Sequence, residues 1–69
     1  MIRVQMVFRR MTGKGWKYWN ACSTDMAAEE GDQARWEELW RELYNEVKAA
    51  IPDAEWAGMG RASKALEKR

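Results

Sequence analysis

Glu38 and Glu42 stand four residues apart, one turn of a helix, a spacing at which two carboxylates can work together as general acid and base. They fall on the polar side of an amphipathic pattern, where solvation alone accounts for them. The chain contains no histidine, so the usual general base is missing. Cys22 is the one cysteine. A nucleophilic thiolate needs a basic neighbour to form it, and Cys22 has no histidine to serve. A structural zinc site needs several Cys or His ligands, which one thiol cannot supply. Gly13-Lys14-Gly15 has the composition of a phosphate loop. A P-loop, however, requires GxxxxGK[ST] between a strand and a helix. Here Trp16 follows and a second strand begins. The expectation is a non-enzymatic protein with no cofactor and no metal.

The residues that remain are suited to contact. Arg9, Arg10, Lys14 and Lys17 interleave with Trp16, Tyr18 and Trp19. Aromatic rings beside basic side chains are how many single-strand binders hold bases. Against this, the isoelectric point is only about 7.9 and the central segment is acidic, whereas nucleic-acid domains carry a larger basic excess. Glu38, Glu42 and Glu46, spaced by four, form an acidic stripe that suits a basic partner surface, such as one that normally holds nucleic acid. Trp19 and Trp56 are expected as exposed aromatic anchors, since Trp and Arg dominate interface energetics. Gly58-Met59-Gly60-Arg61-Ala62-Ser63-Lys64-Ala65-Leu66 loosely resembles the end of a double-stranded-RNA-binding domain, where a basic helix start meets phosphates. The strand–strand–helix order before it is wrong for that family.

Charge is segregated along the chain. Residues 1–22 carry Arg3, Arg9, Arg10, Lys14 and Lys17 and no acid. Residues 23–56 carry ten acids against Arg35, Arg41 and Lys48, and residues 57–69 four bases against Glu67. The net is only +1. Two faces of opposite preference, or a basic hairpin lying near an acidic helix and neutralising it, both follow from this pattern.

The elements that must position these residues are legible from periodicity. Ile2, Val4, Met6 and Phe8 alternate with Arg3, Gln5 and Arg9, with Val7 the exception, which predicts a strand. Thr12-Gly13-Lys14-Gly15 predicts a hairpin loop, its glycines permitting positive φ. Residues 16–22 read as the return strand, with Trp16, Tyr18 and Cys22 on one face and Lys17 and Trp19 on the other. At about 100° per residue, Trp36, Leu39, Trp40, Leu43, Tyr44, Val47, Ala50 and Ile51 share an arc of roughly 140°, predicting an amphipathic helix over 32–51. Glu37 and Arg41 are placed for an i, i+4 pair. Pro52 ends the helix. Glu29 would fall inside the apolar arc, so a break is expected near Gly31, with Asp32 as cap. Residues 24–30, capped by Thr24 or Asp25, are expected as a separate helical turn.

Residues 54–61 are expected as a third strand, because a lone hairpin is marginal in water. A short helix from Lys64 to Lys68 would follow. The expected core is Ile2, Val4, Met6, Phe8, Trp36, Leu39, Trp40, Leu43, Val47 and Ile51. Sixty-nine residues make at most one domain, with a hairpin over 1–22, a main helix over 32–51, and a strand and short helix over 53–69. So small a domain needs dense aromatic packing or self-association, and a homodimer fits the latter. No secretory signal and no apolar run of ~20 residues is present, so a cytoplasmic setting away from membranes is expected.

The fold class expected is therefore α+β, a β-hairpin or three-stranded antiparallel sheet packed on one long helix. In size, composition and build the chain resembles phage-encoded inhibitors of host defence, anti-CRISPR proteins among them. That resemblance implies action by blocking a protein surface. Direct nucleic-acid binding through the basic aromatic hairpin is the alternative. A third is a small subunit whose hairpin edge completes another chain's sheet.

Overall fold

A computed structural model describes residues 1–60. The order of elements is β1 (Ile2–Thr12), β2 (Gly15–Asp25), α1 (Gln33–Ala50) and β3 (Glu55–Met59). The strands form one antiparallel sheet in the order β2-β1-β3, and α1 packs on one of its faces. The α+β architecture and the third strand are as expected. The helix expected from Lys64 to Lys68 lies outside the described residues.

β1 is the central strand, and its alternation sets the two faces. Ile2, Val4, Met6 and Phe8 are at most 1% exposed and point at α1. Burying an apolar side chain of this size contributes ~1.5–3 kcal/mol, so these four anchor the core. Leu39 and Leu43 meet them from the helix, with Trp36, Trp40, Tyr44, Val47 and Ile51 packed around the rim. Ala54, which periodicity does not single out, is also fully buried.

The hairpin is longer than 1–22. Thr12 pairs with Gly15, so Gly13 and Lys14 alone form the loop. The Thr12 hydroxyl donates to the Gly15 carbonyl at 2.7 Å and accepts from the Lys14 amide at 3.1 Å. The ladder then runs unbroken to Ile2 opposite Asp25. Thr24 and Asp25 therefore belong to β2 and do not cap a helical turn over 24–30. The chain beyond them forms turns, with Asp25 Oδ1 accepting from the Ala27 amide at 3.0 Å. Pairing wins because β1 still offers Arg3 and Ile2 as partners there.

The helix begins where a cap allows it. Gly31 takes φ +95°, breaking the chain as expected, and Asp32 caps α1. Its Oδ1 accepts from the Arg35 amide at 3.1 Å. At the other end Ile51 leaves helical geometry before Pro52. Lys48 Nζ donates to the carbonyls of Pro52 and Ala54, closing the turn into β3. Glu37 does not pair with Arg41; it accepts from Gln33 Nε2 at 3.2 Å instead. β3 pairs with β1 from Met6–Met59 to Arg9–Glu55, with a bulge between Val7 and Phe8 that leaves Ala57 unmatched.

Candidate binding surface

Since α1 covers one face of the sheet, the residues opposite one another on the second face are open. Among the described residues no element packs on that face. The register brings Arg9 beside Tyr18 and Met11 beside Trp16 there, with Gln5 beside Cys22 further along. Met11 is 55% exposed, Tyr18 55% and Trp16 41%, high values for large side chains on a sheet. The Arg9 guanidinium lies 4.1 Å from the centre of the Trp16 ring. Glu55 on β3 holds it from the other side at 3.1 Å. Hydrogen bonding to Tyr18 raises the Arg9 pKa, burial opposes that, and Glu55 adds to the rise. The guanidinium is thus a fixed cation at any accessible pH.

Chemically, this face offers a cation beside two aromatic rings. A cation–π pair of this exposure contributes ~0.5–1 kcal/mol. Its larger effect is to hold one long side chain and one ring in place.

The other expected site residues do not converge on this surface. Arg10 and Lys17 oppose each other on the helix side of the hairpin, and Arg10 pairs with Asp53 at 3.1 Å. Lys14 is exposed in the loop. The basic hairpin is thus partly neutralised, but by Asp53 and Glu55 after the helix, not by the helix itself. Trp19 is not an exposed anchor. Its position opposite Phe8 turns it toward the core, where the two rings stack at 6.0 Å. Trp56 is 43% exposed, as its expected exposure requires. It sits on the helix side, edge-on to Trp40 at 6.4 Å, away from Arg9 and Trp16.

The acidic stripe is not a row of bare carboxylates. Arg35 Nη1 lies 2.8 Å from Glu38 and 3.6 Å from Glu42, and Arg35 Nε lies 2.6 Å from Asp25. The guanidinium lowers the Asp25 pKa, with burial opposing and the Ala27 amide assisting. Hydrogen bonds to Asp25 and Glu38 raise that of Arg35. Glu46 remains exposed one turn beyond.

Sequence reasoning set Trp16 and Tyr18 on the face away from Trp19 but did not say which face is open, and it missed Met11 beside them and Arg35 as the hub of the acids. Counting across the two-residue loop would have found the first, because it pairs Phe8 with Trp19 and so turns Trp16 and Tyr18 outward. No local signal marks the contact of Arg35 with Asp25, ten residues earlier.

Cys22 is exposed as a free thiol. Among the described residues no group of three or more Cys, Asp or Glu side chains is placed to hold a metal ion, and no helix is long and apolar enough to cross a membrane. No family model, curated protein or solved structure matches this chain.

Proposed function

We propose that the chain is a non-catalytic binding module that acts by protein–protein contact through the open face of its sheet. Arg9, Trp16 and Tyr18 form the energetic centre. The observation that supports this is the exposed Arg9–Trp16 pair at 4.1 Å with Tyr18 beside it. Trp, Tyr and Arg are the residue types that carry most interface energy. Held in place before binding, they lose less freedom when a partner arrives. Occupying a partner's surface is the mode of action proposed, in keeping with the resemblance in size and build to phage-encoded inhibitors of host defence. Glu46 and the outer part of the acidic stripe act as a secondary contact.

Direct nucleic-acid binding is the second reading. It is favoured by the hairpin tip, where Lys14, Lys17 and Trp16 line one hollow.

Capture of partners from a bacterial lysate, with and without nuclease, tests both. The first reading expects a protein partner retained after nuclease treatment and lost with Arg9→Ala, Trp16→Ala or Tyr18→Ala. Each loss should reach ~2 kcal/mol, about thirtyfold in affinity. Retention by all three folded variants overturns it. The second expects affinity for DNA or RNA that falls steeply with salt, and no binding at low salt would remove it.

A further inference from the structure

Among the described residues β2 is an edge strand along its whole length. The Gln5 carbonyl accepts from the Gly60 amide, on the β3 side. Main-chain groups alternate sides along a strand. Met6 and Phe8 therefore point theirs at β2, and through the register Ala21 and Trp19 point theirs at β1. That leaves Tyr18, Asn20, Cys22 and Thr24 with N–H and C=O groups turned outward. Proteins blunt such edges with proline, bulges, inward charges or covering elements. Between Tyr18 and Thr24 there is no proline, no charge and no bulge. The other edge, β3, is only five residues long and carries a bulge.

We propose that this edge pairs antiparallel with β2 of a second copy, about a two-fold axis at Ala21, joining two sheets into one of six strands. The charges on β2 select the occupant and the register. Lys17 and Asp25 are its only charged residues, of opposite sign, each four residues from Ala21. A two-fold there sets Lys17 of each copy against Asp25 of the other. It also sets Trp19 against Ser23, and small Ala21 against itself, on the helix side. The acid needs the cation. Among the described residues Asp25, Glu38 and Glu42 share the Arg35 guanidinium, so three carboxylates meet one positive charge there. Lys17 forms no ion pair among the described residues. The pairing delivers it to that acidic end twice over. Both helices lie on the same side of the joined sheet, and both open faces lie on the other. Nothing in this depends on what binds the open face.

Sedimentation equilibrium of the full chain tests it. The expected mass is twice 8.1 kDa at tens of micromolar. Asn20→Pro removes an outward N–H that no described residue accepts, so it should give a monomer with unchanged far-UV circular dichroism. Lys17→Glu should weaken the dimer about tenfold or more. In a Cys22→Ser background, Ala21→Cys should form an intermolecular disulfide under mild oxidation. A mass of 8.1 kDa at those concentrations overturns the proposal, as does a folded Asn20→Pro protein that stays dimeric. If Asn20→Pro does not fold, hydrogen exchange of the native protein decides. Protection at Tyr18, Asn20, Cys22 and Thr24 that rises with concentration supports the pairing, and protection independent of concentration overturns it.

Discussion

The carboxylate of Asp25, the last residue of β2, accepts from Arg35 Nε at 2.6 Å in the first turn of α1. The end of the sheet is thereby tied to the start of the helix across the turns at 26–31. The guanidinium holds the Asp25 pKa below its ordinary value of 3.8. A depressed pKa contributes stability above the unfolded value and loses it as pH falls through the folded one. Urea unfolding followed from neutral pH to about pH 3 and below should show a falling acid limb, and Asp25→Asn should flatten it. Equal slopes in the two proteins would remove this pair from the acid response.

The hairpin tryptophans should separate cleanly by their face. Trp19 stacks on Phe8, so Trp19→Ala should cost about 3 kcal/mol. Trp16 lies on the open face, so Trp16→Ala should change stability by about 1 kcal/mol or less. Urea midpoints of the two variants check this, and the reverse ranking would mean that the faces are exchanged.

Gly60 passes close over β1. A Cβ added there would lie 2.8 Å from Gln5 Cβ and 2.9 Å from its carbonyl oxygen. Backbone cannot yield as a side-chain tip can, so Gly60→Ala should destabilise by ~1–3 kcal/mol. The loss should appear first as faster hydrogen exchange in β3.

Two helix tryptophans differ in their N–H groups. Trp36 Nε1 is buried without an acceptor among the described residues. Trp40 Nε1 donates to the Met59 sulfur at 3.2 Å. Removing an unpaired donor offsets part of the lost area, so Trp36→Phe should stay within about 1 kcal/mol of the native protein. Trp40→Phe should cost about 1 kcal/mol more, read as a difference in unfolding midpoints.

The faces of single elements could be read before folding because each follows from one period. Ile2 to Phe8 declared a buried side at period two, and Leu39 and Leu43 did so at helical period. Asp32 and Pro52 marked the helix ends through side-chain and ring chemistry that acts over a few residues. What lies between elements could not be read this way. Whether Trp16 or Trp19 faces the core depends on register through the turn. That β1 is central depends on β3 choosing it over β2. The neutralisation of Glu38 and Glu42 depends on Arg35 meeting Asp25, and that of Arg9 on Glu55, 46 residues away. These are tertiary facts, and composition shows only that the charges exist.

The position of β1 in the middle of the sheet has a kinetic consequence. One neighbour, β2, arrives after a loop of two residues and can zip within microseconds. The other, β3, reaches β1 only once the whole helix has been laid down, closing a loop from Arg9 to Glu55. The entropy of that closure is met before its contacts form, so β3 docks last and leaves first. Until it docks, both sides of the hairpin are bare edges. Refolding at low protein concentration should therefore recover more protein than refolding at high concentration.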